Sequence, residues 1–385
     1  MRVSSMILLT TLLGSSAMLQ GQTRDENWKR CTDSSLDLSI GGCTALIQSG
    51  QETDTNMAIA FTNRGNDYRH KGEYDRAIQD FDQALKLNPN YINALVRRGD
   101  AYSSKHDYDH AVQDFDQALK IDPNSAPAFN DRGMMYADKG EFDRAIQDYD
   151  QALKAKPDYA WAFNNRGNAY SDLRDYAQAI KDYNETLRLN PDNSSAFNNR
   201  GNAYLRMGEF ERSIPDFDQS LKLSPTFLNA FRGRAAAYFY LGQFAAAQPD
   251  FANAVKSTPT DAYSVLWLYV SESRAGQDAR SVLEMDTAQI DRTAWPGQLV
   301  DLFLGKATPE AILAAASDPN PHKNQSQLCE ADFFLGEHAL LGGKRTEARR
   351  LFQQAIDTGA TWELQFAGAQ TELKRLPAIS AKTSR

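Results

Sequence analysis

The chain has 385 residues, of which 42% are apolar and 24% charged, and a net charge of −8. That length exceeds what one hydrophobic core supports, so several domains or a repeat array are expected, and the apolar content excludes a wholly disordered chain. The acidic balance argues against nucleic acid as principal partner, since phosphate neutralisation needs clustered Lys and Arg; it leaves a protein partner open.

Residues 1–21 read as a secretory signal peptide, with Arg2, the apolar run VSSMILLTTLLG and the small residues SSA. The run is too short, and too interrupted by Ser and Thr, to cross a membrane as a helix. Cleavage is expected after Ala17 or Gly21, and no cysteine directly follows the run to carry a lipid. These features predict an exported, soluble chain with no direct membrane span. Residues 22–57 form a helical segment holding Cys31 and Cys43, which an oxidising compartment would let pair. A single helix over 31–43 would hold them ~18 Å apart, beyond disulfide reach. A bridge therefore needs a bend, for which Asp33-Ser34-Ser35 or Gly41-Gly42 is available; the alternative is two buried free thiols. Cys329 is left as a core residue in an apolar helical context.

Two stretches, 162–170 and 196–204, both read AFNNRGNAY and begin 34 residues apart. The same period tiles residues 58–261 with six units, starting at Ala58, Ile92, Ala126, Ala160, Ser194 and Leu228. Counting the first residue as 1, position 4 is Phe or Leu and position 8 is Gly or Ala. Position 11 is Tyr, position 20 Ala or Ser, position 24 aromatic and position 32 Pro. This pattern is identified as the tetratricopeptide repeat. It implies an all-α solenoid of antiparallel helical hairpins in a right-handed superhelix. Small residues let the two helices of a unit approach, aromatics fill the gaps, and proline ends the second helix. Position 7 is always Arg (Arg64, Arg98, Arg132, Arg166, Arg200, Arg234) and position 23 always Asp (Asp80, Asp114, Asp148, Asp182, Asp216, Asp250), which predicts one Arg–Asp pair per unit. Pro215 and Pro249 fall inside second helices and are expected to bend them.

Residues 262–328 keep helical patterning in a weaker register. SVLWLYVSESRAG and QDARSVLEM pair, Thr308-Pro309 starts a later helix, and DPNPHKNQSQ reads as a loop. Residues 329–375 recover a repeat-like unit from Cys329, closed by the capping helix ATWELQFAGAQTELKRL; residues 376–385 read as a frayed tail. In VLWLYVSES, LVDLFLGK and FFLGEHALLGGKRTEARRLFQQAI, residues 58–375 resemble the NlpI-type tetratricopeptide proteins of the bacterial envelope. The resemblance implies a periplasmic adaptor, able to form a homodimer, that brings peptidoglycan hydrolases together with proteases or other wall enzymes. The members in view are lipid-anchored, and this chain lacks the cysteine for that.

No nucleophile elbow, zinc-protease motif or phosphate-cradling glycine loop occurs, so neither catalysis nor a cofactor is expected. His106 and His110 have metal-ligand spacing but straddle an inter-helix turn, and read as surface variation rather than a metal site. What remains is the inner wall of first helices. Positions 2, 5, 6, 9, 12 and 13 face away from each unit's own core. There stand Asn63 and Asn66, Arg97, Asn130, then Asn164, Asn165 and Asn168, then Asn198, Asn199 and Asn202, and finally Arg232. An amide both donates and accepts, so such a row can hold the backbone of an extended peptide without demanding one sequence. Other tetratricopeptide proteins bind peptides through asparagine rows. A carboxylate clamp is not reproduced, because Thr62 stands where a Lys is needed. Asparagine costs helix stability relative to alanine, which favours a binding role over asparagines merely inherited by duplication. The competing reading is a structural wall that self-associates. Trp161 and Phe239-Tyr240 are candidate anchors for either partner.

Overall fold

The computed structural model describes residues 23–376, so the signal-peptide reading of 1–21 lies outside the described residues, as do tail residues 377–385. Among the described residues every regular element is helical, as the repeat pattern predicts. The chain forms two compact units, one up to Met135 and one from Tyr136 onward, and each is taken by itself.

The first unit opens with α1 (Arg24–Cys31) and α2 (Leu36–Ser49), joined by a Cys31–Cys43 disulfide. The bend falls at residues 32–35, whereas Gly41-Gly42 lies inside an unbroken α2. Gly42 serves another purpose. A Cβ there would sit 2.6 Å from Arg30 Cβ, so its absence lets the two helices close up. Then come the hairpins α3 (Asp54–His70) with α4 (Tyr74–Leu87) and α5 (Ile92–Ser104) with α6 (Tyr108–Ile121). The chain passes into the second unit within α7 (Ala126–Asp138).

The second unit continues with α8 (Phe142–Ala155), α9 (Ala160–Asp172) with α10 (Tyr176–Leu189), α11 (Ser194–Arg206) with α12 (Phe210–Leu223), and α13 (Leu228–Tyr240) with α14 (Phe244–Ser257). Next are α15 (Ala262–Arg274), α16 (Arg280–Asp286), α17 (Gln298–Phe303) and α18 (Pro309–Ala315). The C-terminal group is α19 (Pro321–Leu341), α20 (Arg345–Asp357) and α21 (Leu364–Arg375). Helix α19 starts inside the segment expected to be a loop. The Asn320 side chain accepts from the backbone N–H groups of His322 and Lys323, and Pro321 supplies a preset first turn. Despite Pro215 and Pro249, α12 and α14 each run 14 residues, the length of the proline-free α10.

Inside a hairpin the closest approach is between position 8 and the aromatic at position 24. A Cβ on Gly167 would meet the Tyr183 ring at 2.8 Å, and one on Gly201 the Phe217 ring at 3.0 Å. The turn between helices requires a left-handed residue. Gly72, Gly140, Gly208, Gly242 and Gly276 supply it at φ between 75° and 85°, but His106 (φ 61°) and Arg174 (φ 65°) occupy the same register. A left-handed conformation costs a non-glycine residue about 1–2 kcal/mol. His106→Gly is therefore expected to raise stability by about 1 kcal/mol, read as an upward shift of the denaturation midpoint; an unchanged or lower midpoint would refute the strain.

The predicted pairs Arg64–Asp80, Arg98–Asp114, Arg166–Asp182, Arg200–Asp216 and Arg234–Asp250 are present, and four of these arginines do more than expected. Arg166 grips Asp182 of its own repeat through Nε and Nη2, at 2.8 and 2.6 Å, while its Nη1 donates to Asp150 of the preceding repeat. Arg98 does the same with Asp114 and Asp82, and Arg234 with Asp250 and Asp218. Arg200 holds Asp216 but reaches back to a neutral partner, Asn184. Each of these arginines is thus an internal clamp and a staple to its neighbour.

The largest core lies in the second unit and is aromatic. Trp267 of α15 packs on Phe239, Phe251, Phe333 and Phe334, with ring centroids 4.9 to 6.0 Å away. Cys329 is fully buried in this core, and burial pushes its thiol up to about 12.

Candidate functional site

In the first unit the predicted wall residues are engaged locally. Asn63 turns its amide to the Cys31 sulfur at 3.9 Å, which ties it to α1. Asn66 accepts from Arg69 at 3.1 Å, and Arg97 pairs with Asp100 at 3.2 Å. Asn130 is buried, not displayed; its amide donates to Asp131 at 3.1 Å and to Met134 Sδ at 3.6 Å. Burial pushes the Asp131 carboxyl up to about 6, the Asn130 bond working against it and Asp100 with it.

In the second unit the amides are linked to one another. Asn164 Nδ2 donates to Asn165 Oδ1 at 3.5 Å, and Asn198 Nδ2 to Asn199 Oδ1 at 3.2 Å. Asn199 Nδ2 in turn donates to Asn168 Oδ1 at 3.0 Å, joining α11 to α9. The Tyr183 hydroxyl donates to that same oxygen at 2.9 Å, so both acceptor sites of Asn168 are filled and its amide N–H groups are what it offers. Asn198 is 4% exposed, so position 5 is a packing position here as at Asn130. The Oδ1 atoms of Asn164 and Asn198 are buried and accept no hydrogen bond from the described residues. An unmet buried acceptor costs roughly 1–3 kcal/mol.

Asn202, one turn beyond Asn199, lines a cavity of about 180 Å³ with Asn229, Arg232 and Leu364. A second cavity of about 280 Å³ shares Arg232 and Leu364 with it. Its apolar floor includes Phe251 and Trp267, and its polar wall includes Arg206, Tyr263, Glu330 and Glu363. Arg232 is held in place by Asp261 at 2.6 Å and Thr258 at 3.0 Å.

Sequence reasoning finds Asn202 and Arg232 but misses the rest of this cavity, because its other wall comes from α19 and the turn before α21, far along the chain. One signal for it is in the sequence. Glu330 interrupts the apolar run around CEADFF, where a carboxylate needs a reason. The anchor reading of Phe239-Tyr240 is corrected. Both are buried, at 0% and 1% exposed, because α21 returns over them and the Tyr240 hydroxyl donates to the Leu364 carbonyl. Trp161, by contrast, is 65% exposed. His106 Nδ1 lies 2.8 Å from the Tyr108 hydroxyl and His110 Nδ1 2.8 Å from Asp107, so the two histidines do not converge. Among the described residues no group of three or more His, Cys, Asp or Glu side chains could hold a metal ion, and no helix is long and apolar enough to cross a membrane.

Tetratricopeptide repeat profiles match residues 58–91, 92–125, 160–193 and 194–227, with further repeat profiles on 115–147 and 133–173. Residues 58–227 thus carry tetratricopeptide repeats, and their fold is that of a protein-interaction scaffold. Within that class the chain resembles the NlpI type. The lipoprotein NlpI homolog of Haemophilus influenzae is 27% identical over 125 residues, which make up 32% of this chain and 40% of that protein. The chain thus spans about 40% of the length of the curated relative it matches. Two solved structures share the fold alone. One is pilF of Pseudomonas aeruginosa (17% identity, TM-score 0.51, 59% of this chain and 100% of that one). The other is a tetratricopeptide repeat protein of Parabacteroides merdae (19% identity, TM-score 0.51, 64% and 96%).

Proposed function

We propose that this chain is an exported, periplasmic adaptor, without catalytic activity or cofactor, that holds extended segments of other proteins along the inner asparagines of its second unit. The observation that carries the reading is the amide bridge from Asn199 to Asn168, positioned from behind by the buried Asn198, with Asn202 and Arg232 continuing it into a cavity. Side-chain amides match the donors and acceptors of a peptide backbone, so they bind main chain and leave sequence choice to adjoining pockets. The NlpI-type resemblance supports peptidoglycan-remodelling enzymes as clients, and the signal-peptide reading supports export. In the first unit, Asn63, Asn66, Arg97 and Asn130 serve the fold more than a ligand.

The test is the variant carrying Ala at Asn164, Asn165, Asn198 and Asn199, compared with the unchanged chain on an array of capped peptides. Binding should fall at least tenfold, while the melting temperature holds or rises because two unmet buried acceptors are removed. Undiminished binding would dismiss the asparagine row. The second reading, a self-associating wall giving a homodimer, is favoured by the exposed Trp161. Light scattering across a concentration series decides it, with Trp161→Ala expected to return a dimer to monomer.

A further inference from the structure

The larger cavity has a charge pattern that the asparagine row does not explain. Glu330 is 8% exposed, and both of its hydrogen bonds go to one oxygen. The Tyr263 hydroxyl donates to Oε2 at 2.6 Å and Trp295 Nε1 donates to the same atom at 2.7 Å. Oε1 of this carboxylate has no donor among the described residues. Glu363 lies close enough to push the Glu330 carboxyl up further, and neither glutamate forms an ion pair among the described residues. Two of the lining charges cancel. Asp261 and Arg232 neutralise each other at 2.6 Å, which leaves Arg206, Glu330 and Glu363. The sum is −1. Arg206 is exposed and gives Nη1 to the Trp362 carbonyl, so it does not answer the unfilled oxygen. Tyr263 and Trp267 add aromatic surface to the same wall.

A net carboxylate, one unfilled acceptor on a buried side chain and aromatic walls together describe a receptor for one cation on an apolar stem. We propose that this cavity seats a lysine or arginine side chain of the peptide held along the asparagine row, with its ammonium or guanidinium donating to Glu330 Oε1 and its stem on Trp267. The inference rests on the peptide-binding reading. The cavity adjoins the one lined by Asn202 and shares Arg232 and Leu364 with it, which puts the peptide backbone outside and one side chain within.

Capped hexapeptides that differ only by Lys or norleucine at one position, titrated calorimetrically into the full chain, provide the test. The lysine peptide should bind at least tenfold more tightly, and Glu330→Gln with Glu363→Gln should erase that preference while norleucine binding stays the same. The amide oxygen that Glu330→Gln introduces would still accept from Tyr263 and Trp295, and an unshifted melting temperature checks that the double variant folds. Equal affinity for the two peptides, a preference that survives the double variant, or no binding of the lysine peptide overturns the proposal. If n-butylammonium competes as strongly as the lysine peptide itself, the occupant is a free amine and the peptide assignment falls. The two readings fail separately. A lost lysine preference with peptide binding intact removes the cavity's role and leaves the row, whereas a lysine preference that persists at full affinity in the four-asparagine variant removes the row and leaves the cavity.

Discussion

Replacing Arg274 with alanine is expected to destabilise the second unit by about 3–5 kcal/mol, the usual cost of stranding a buried charge. Arg274 leaves α15 to meet two carboxylates, Glu337 of α19 at 2.5 Å and Glu372 of α21 at 3.0 Å. The side chains of Glu337 and Glu372 are 0% and 1% exposed, and Arg375 also pairs with Glu372. Alanine would leave Glu337 with no counter-ion in pairing distance among the described residues. Burial, reinforced by Glu372, already pushes the Glu337 carboxyl up to about 8 against the pull of Arg274. A carboxyl raised in the fold stabilises it at low pH, and that contribution disappears as pH climbs from the unfolded value near 4.5 through about 8. The deficit of the alanine variant should therefore be smaller at pH 5 than at pH 8, and adding Glu337→Gln should recover part of it. Chemical denaturation at both pH values is the check. A deficit below about 1 kcal/mol, or one that grows on acidification, would mean the cluster does not hold the helices together.

The second large effect belongs to the repeat staples. Arg166→Ala removes the only ion-pair partner that Asp182 has among the described residues, where its side chain is 6% exposed, and cuts the link back to Asp150. A loss of about 3–5 kcal/mol is expected, with amide exchange accelerating first in α8 and α10. Lysine should not rescue it, because an ammonium cannot form the two-pronged grip. Arg188→Ala is the control. Its pair with Glu185 is 62% and 44% exposed, so less than about 1 kcal/mol should change. Equal losses in the two variants would show that burial is not what gives the staple its strength.

The repeat architecture was legible because its constraints are local. Gly167 cannot carry a Cβ against Tyr183, proline must stop the second helix, and the unit starts at 58, 92, 160 and 194 are those that the repeat profiles mark. The staples were half legible. Position 7 and position 23 announce their pairing, whereas the reach to Asp82, Asp150 and Asp218 depends on how consecutive hairpins stack. The site was least legible where distant segments meet. Phe239 and Tyr240 look like exposed anchors until α21 covers them, and Glu330 gains its meaning only beside Tyr263 and Trp295. Position 5 shows a different limit. Helical phase puts Asn130 and Asn198 on the inner side, but the spacing of neighbouring first helices decides whether that side is open, and there it is closed.

One staple differs from its neighbours. At the joint where Arg200 reaches back, the acceptor is the amide of Asn184, while the joints on either side use the carboxylates of Asp150 and Asp218. A bond from arginine to an amide lacks the charge–charge attraction of an arginine–carboxylate pair, so this is the weakest of the three links. It ties α11 to α10, beside the α9–α11 bridge that Asn168 and Asn199 make. Under the proposed peptide-binding reading, a weaker joint at this point would let the spacing of the amides adjust to the repeat of an incoming chain.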